Sequence, residues 1–217
     1  MIIVTGGAGF IGSNFILKFL EASNENLLNL DNLSYAANLS NLKPIDTDPR
    51  YSFTKINIQN QSEVEEIVKE VKPRAILNFA AESHVDRSIE GPESFINTNI
   101  LGTYSLLEAA LNYWNDLDES GKKIFRFFHI STDEVFGSLD INDKKSTEES
   151  SYKPNSPYSA SKAASDHLVR AWHHTFKLPT LVSNCTNNYG PHQHEEKLIP
   201  LVITKALKNE DLPIYGD

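Results

Sequence analysis

The sequence of 217 residues predicts a doubly wound parallel α/β sheet with the start of a smaller C-terminal domain. Three observations carry that expectation. Short apolar runs alternate with segments of helical period through most of the chain, and strands joined by such long crossovers pair in parallel. A glycine-rich turn, Gly6 to Gly12, lies between the first apolar run and the first helical segment. Tyr158 and Lys162 stand one helical turn apart late in the chain, so both side chains leave the same helix face.

Each element follows from its local pattern. Ile2 to Val4 is an uncharged apolar run, as a strand covered on both faces requires. Phe15, Ile16, Phe19 and Leu20 then recur at helical spacing, and Leu27 to Leu30 forms the second strand. Ser62 with Glu65 three residues on reads as a capping box. The helix it opens carries Val64, Ile67, Val68 and Val71 on one face and stops before Pro73. Ala75 to Ala81 reads as a buried strand, and one long helix is expected from about Glu93 to Trp114. Ile124 to Ile130 is the next apolar run, Ser138 to Asn155 a polar surface loop, and Ser156 opens a helix reaching about Phe176. A strand over Thr180 to Cys185 and a helix over Leu198 to Leu207 complete the order.

Composition narrows the function. Hydrophobic residues make up 40% and charged ones 23%, which is globular rather than disordered. Twenty basic against 29 acidic side chains give a net charge of −9, so nucleic acid is not an expected partner. Cys185 is the single cysteine, which excludes an internal disulfide and a cysteine zinc cluster, and it is expected as a small core residue. His173-His174 and His192-x-His194 lack further ligands, so no metal is expected. The start carries no basic leader and no segment is apolar enough to span a bilayer, which predicts a cytoplasmic chain with no membrane partner.

Three groups of residues carry chemistry. Gly7, Gly9 and Gly12 form Gly-x-Gly-x-x-Gly, and with Gly6 they allow a tight turn and close approach of a pyrophosphate to backbone N–H groups at a helix start. Asp31, ending the second strand, is placed to accept ribose hydroxyls and would repel a 2′-phosphate, so a Rossmann-type NAD site is expected rather than an NADP site. Tyr158 beside Lys162 makes a base for an alcohol proton, the ammonium stabilising the phenolate. Thr132-Asp133-Glu134 emerges at the end of a strand, where two adjacent carboxylates repel and one is kept protonated.

Thr5 to Ser13, Ala80 to Ser88, Thr98 to Thr103, Ser131 to Gly137, Ser156 to Asp166, Asn187 to Pro191 and Glu196 to Pro200 together resemble the dTDP-glucose 4,6-dehydratase family of extended short-chain dehydrogenases. The resemblance implies an internal redox cycle on dTDP-glucose that yields dTDP-4-keto-6-deoxyglucose with bound NAD, in a homodimer. It places Ile11, Gly12, Asp31, Asn32, Leu33, Ser34, Asn57, Ile58, Ala80, Ala81, Thr98 and Asn188 around NAD. Around the nucleotide sugar it places Ser83, Thr132, Asn187, Lys197, Leu198, Pro213, Ile214 and Tyr215. Tyr158 would take the 4-hydroxyl proton, Lys162 would hold the nicotinamide ribose, Glu134 would remove the C5 proton and Asp133 would protonate the departing 6-hydroxyl. Asn57 stands where relatives carry an aspartate that meets adenine. Relatives also continue beyond Asp217, so a C-terminally truncated chain is expected, with an NAD domain over 1–186 and a partial nucleotide-sugar region over 187–217. A nucleotide-sugar 4-epimerase, sharing the glycine turn and the Tyr-Lys pair, and a non-catalytic NAD-binding fragment are the competing readings.

Overall fold

The computed structural model describes residues 1–212. β1 (Ile2–Thr5) leads to α1 (Phe10–Ala22), β2 (Leu27–Asp31), a 3-10 turn (Leu39–Ile45) and β3 (Tyr51–Lys55). Then come α2 (Gln61–Val71), β4 (Ala75–Asn78), the short helices α3 (Val85–Glu90) and α4 (Pro92–Phe95), a π-helical turn (Ile96–Leu101) and α5 (Gly102–Asp116). α6 (Glu119–Ile124), β5 (Arg126–Thr132), a 3-10 turn (Asp133–Phe136), α7 (Pro157–Phe176), β6 (Thr180–Cys185) and α8 (Leu198–Leu207) follow. The six strands form one sheet in the order β3-β2-β1-β4-β5-β6, every pair parallel. The expected doubly wound architecture is therefore present.

Side chains alternate between the two faces of the sheet, and each face has its own core. Ile3, Leu28, Leu30, Ile76 and Phe127 pack with Val64, Val68, Leu106 and Leu107. Ile2, Val4 and Leu27 pack on the other side with Ile16, Leu20 and Leu42. α7 starts cleanly because Ser156 and Ser159 exchange side-chain-to-backbone hydrogen bonds, each at 3.0 Å, and Pro157 occupies the first turn.

Several local readings need correction. Tyr51–Lys55 is an edge strand hydrogen-bonded on one side only, and its mixed apolar and polar residues hide it from a search for buried runs. α2 begins after Asn60, so Ser62 lies inside the helix and donates to Asn60 Oδ1 at 3.0 Å, while Glu65 accepts from Gln61 at 2.9 Å. No capping box forms there. β4 stops at Asn78 rather than Ala81, and Ile124 ends a helix instead of opening β5. The long helix expected over Glu93 to Trp114 is present without a break from Pro92 to Asp116, but its stretch Ile96–Leu101 is wound as a π turn. α8, by contrast, has the expected bounds, and it has no buried residue, leaving Leu198, Ile199, Ile203 and Leu207 exposed.

The cores fix a prediction. Leu106→Ala empties a fully buried site and is expected to cost about 2–5 kcal/mol in denaturant unfolding. Leu101→Ala, on the exposed side, should stay within about 0.5 kcal/mol. Similar losses at both sites would contradict this assignment of faces.

Candidate active site

The chain leaves β1 through Gly6 at φ 70°, a left-handed conformation in which a side chain would also strike the Ala80 backbone. Gly12 leaves no space either, because a Cβ there would press on the Gly6 carbonyl and Gly7 Cα. Gly9 is different. Its φ of −78° suits any residue, and a Cβ would meet only the Gly6 carbonyl at 3.4 Å. Its bare backbone lines a cleft of roughly 470 Å³, so the space in front of Gly9 is open to a ligand.

Asp31 anchors the same turn. Its Oδ2 accepts the Ala8 N–H at 2.9 Å and its Oδ1 the Leu33 N–H at 2.8 Å, which leaves lone pairs on both oxygens for hydroxyl donors. Burial pushes the Asp31 pKa up while the two N–H bonds oppose it. Asn32 and Ser34 reach the cleft beside it, whereas Leu33 does not, holding instead a positive φ of 59°. Asn57 also stays out of the cleft wall, its carbonyl accepting the Gln59 N–H at 3.0 Å.

Across the cleft, β5 ends on Thr132, whose hydroxyl accepts the Glu134 N–H at 3.2 Å. Thr132, Glu134, Tyr158 and Lys162 all line this wall, while Asp133 does not. Burial, then the Asp133 charge, raises the Glu134 pKa, with Lys197 opposing. Tyr158 is pushed well above an ordinary phenol by burial and next by the Glu134 charge, with the Thr132 hydroxyl opposing. Lys162 Nζ donates to the Ile130 carbonyl at 2.8 Å rather than to the phenol, and burial lowers its pKa to about 8. The expected tuning of tyrosine by lysine is thus not made through a direct bond.

The remaining expected residues divide by element. Ile11 and Ile58 line the cleft near the glycine turn, as do Ala80, Ala81 and Thr98. Ser83, Asn187, Asn188, Lys197 and Leu198 line its other side. Pro213, Ile214 and Tyr215 lie outside the described residues. Cys185, expected in the core, is half-buried and lines the cleft instead, its Sγ within 3.4 Å of the Ser131 carbonyl oxygen.

Two features escaped the sequence reading. At the cleft rim Tyr35 donates to Glu196 Oε1 at 3.0 Å, and the Arg87 guanidinium stacks 3.8 Å from the Tyr35 ring centre. His84 and Arg87 at the start of α3, and His194 from the same loop as Glu196, all stand within 3.7 Å of the Glu196 carboxylate. Beneath the cleft a polar line crosses the sheet. Thr5 donates to Asn78 Oδ1 at 2.7 Å, which orients the amide so that its nitrogen donates to His129 Nδ1 at 3.2 Å. His129 consequently carries its proton on Nε2, facing Asp166 Oδ1 at 3.4 Å. The π turn supports the same wall: Asn99 bonds the Glu82 N–H and carbonyl at 2.9 and 3.0 Å and donates to Ser161 at 2.8 Å. Among the described residues no group of three or more His, Cys, Asp or Glu is placed to hold a metal ion. No described helix is long and apolar enough to cross a membrane.

A family model described as GDP-mannose 4,6 dehydratase matches residues 3–217, and the chain belongs to that family. The dTDP-glucose 4,6-dehydratase of Haemophilus influenzae is 54% identical over 216 residues, covering 100% of this chain and 64% of that protein. Its Xanthomonas campestris counterpart is 56% identical over 215 residues, covering 99% of this chain and 61% of that protein. The chain therefore spans less than two thirds of the length of these relatives. Among solved structures, the dTDP-glucose 4,6-dehydratase DesIV of Streptomyces venezuelae, with NAD and TYD bound, matches at TM-score 0.91 and 45% identity, over 100% of this chain and 65% of that one. A UDP-glucose 4-epimerase of Thermotoga maritima with UDP-glucose matches at TM-score 0.86 and 26% identity, over 100% and 66% of the two chains.

The buried histidine makes a pH prediction. Burial, with the Lys162 charge second, lowers its pKa from 6.5 to about 4. Between those values the unfolded chain binds more protons, so His129 leaves stability intact above about 6.5 and removes it as pH falls toward about 4. His129→Gln should flatten the decline of melting temperature over that window, and an unchanged slope would place the acid sensitivity elsewhere.

Proposed function

We propose that this member of the GDP-mannose 4,6 dehydratase family binds NAD and carries the catalytic residues for dehydrating dTDP-glucose to dTDP-4-keto-6-deoxyglucose. One observation carries the reading: Thr132, Glu134, Tyr158 and Lys162 share a cleft with the glycine turn and Asp31. The uncovered Gly9 backbone fits a pyrophosphate and the Asp31 lone pairs fit ribose hydroxyls, while that carboxylate disfavours NADP. The dTDP-glucose relatives and the NAD and TYD bound to DesIV support the same assignment.

When bound, NAD supplies the acceptor for hydride leaving C4 and the donor that later reduces C6, so no net redox change results. The chain's residues handle the protons. Tyr158, once ionised, takes the 4-hydroxyl proton, and the Thr132 hydroxyl, the one neighbour that favours the phenolate, holds O4 beside it. The resulting 4-ketone acidifies C5, whose proton passes to Glu134, a carboxylate made more basic by burial and by Asp133, and Glu134 returns a proton to C5 when C6 is reduced. Asp133, next to Glu134 but outside the cleft wall at rest, swings in to protonate the departing 6-hydroxyl. Lys197 at the start of α8 faces the diphosphate, with Ser83, Asn187 and Leu198 around the sugar. A 4-epimerase loses no water and has no use for this acid and base, which favours the dehydratase. The protein works in the cytoplasm as a homodimer through α5 and α7, a face on which Tyr104 and Phe176 are exposed.

Calorimetric titration of the chain with NAD and with dTDP-glucose should give binding to both, whereas NAD alone would leave only a cofactor-binding unit. Gly9→Ala should cost under about 1 kcal/mol of stability and weaken NAD at least about tenfold. A tight NAD complex in that variant would remove the glycine turn from the site. Glu134→Gln should slow keto-sugar formation by about 100-fold or more and stop uptake of solvent deuterium at C5, with NAD affinity retained. UDP-galactose formed from UDP-glucose, without keto sugar from dTDP-glucose, would establish the epimerase instead.

A further inference from the structure

Below the cleft lies a carboxylate that no step above uses. Asp166, only 4% exposed, stands one helical turn beyond Lys162 on α7. It accepts hydrogen bonds from the Ser131 hydroxyl at 2.7 Å, the Tyr152 phenol at 2.9 Å and the Asn184 amide at 3.3 Å. His129 Nε2 faces its other oxygen at 3.4 Å. These groups come from β5, the loop before α7, and β6. Neutral partners could join the same elements, and a desolvated carboxylate costs several kcal/mol before its bonds offset that. The charge itself therefore calls for an explanation.

Lys162 supplies one. Its ammonium is 3% exposed and is seated on the carbonyl of Ile130, the residue next to Ser131. Tyr158 shares its helix face, His129 lies on β5 and Cys185 on β6, and Asp166 stands one turn further along the same helix, bonded to the residue beside the carbonyl that seats the ammonium. We propose that Asp166 is the positioning residue for Lys162: its negative charge keeps the buried ammonium protonated, and its bond to Ser131 fixes the strand end whose carbonyl aims that ammonium. Burial alone drives the Lys162 pKa down, and the Asp166 charge opposes the fall. The carboxylate in turn is held ionised, because contacts with His129, Ser131 and Lys162 together outweigh the upward push of burial. The consequence for activity rests on the NAD reading, in which a charged Lys162 meets the nicotinamide ribose. The coupling between the two side chains does not.

The test reads Lys162 directly. In the 217-residue chain labelled with 13C at the lysine ε-carbons, the Lys162 signal is the one missing from Lys162→Arg. Its titration midpoint should fall by about one pH unit or more in Asp166→Asn, and Asp166→Glu should restore it. Tyr152→Phe removes a hydrogen bond and keeps the charge, so it should lower the melting temperature and leave the midpoint in place. Should Asp166→Asn fail to fold, the same coupling is read from the other end, where Lys162→Met must raise the Asp166 carboxyl midpoint by a matching amount. An unmoved Lys162 midpoint in Asp166→Asn, or an unmoved Asp166 midpoint in Lys162→Met, would overturn the proposal and leave Asp166 a packing hub. NAD titration of the same samples separates the two readings: a parent chain that shows the coupling and binds no NAD refutes only the cofactor assignment.

Discussion

Parallel pairing is the constraint on which the rest of this molecule depends. Six strands that all run one way must each return through a crossover, so every strand ends on the same edge. Thr5, Asp31, Asn78, Thr132 and Cys185 are five of the six ends, and each contributes to the cleft or to the hydrogen bonds beneath it. Residues far apart in sequence thus meet without any loop having to travel. Asp31 then fastens the first of these ends, because its carboxylate receives N–H groups from both the glycine turn and the start of its own loop.

Polarity inside a dry sheet must be paired, and here the pairing has become an organised line. Thr5, Asn78 and His129 hand hydrogen bonds from β1 through β4 to β5, and Asp166, bonded to Ser131 on β5 and to Asn184, carries a second set on to β6. Such a line specifies geometry more sharply than apolar packing, since each donor has a direction. Burial, with the Lys162 charge second, keeps His129 neutral in the interior, so its part of the line holds one charge state around neutral pH.

Much of this was legible in the residues. Apolar runs marked the four inner strands because strands covered on both faces need them, the edge strand β6 still carries Leu181 and Val182 side by side, and the glycine turn with Asp31 marked one end of the site. Tyr51–Lys55 was missed because an edge strand paired on one side needs no continuous apolar run. The π turn was missed because Asn97 and Asn99 leave the helical period undisturbed, while its cause is tertiary: the Asn99 carbonyl accepts the Ser165 hydroxyl at 2.6 Å and its amide clamps Glu82. Asp166 lay within a motif already noted, yet its partners Ser131, Tyr152 and Asn184 are 35, 14 and 18 residues away and carry no local signal. Spacing shows which side chains share a helix face, but not which carbonyl a lysine reaches.

The contact between Tyr35 and Glu196 joins segments 161 residues apart across the rim of the cleft, with Arg87 stacked on the same ring. Tyr35 and Glu196 also line the cleft, so the bridge ties two of its walls together. For a bound molecule the bridge is part of the wall, and loosening it loosens the ligand as well. On the proposed reading the same carrier must stay through a whole cycle, and a wall tied to itself across so long a stretch of chain favours a carrier held as a fixture over one exchanged at every turnover.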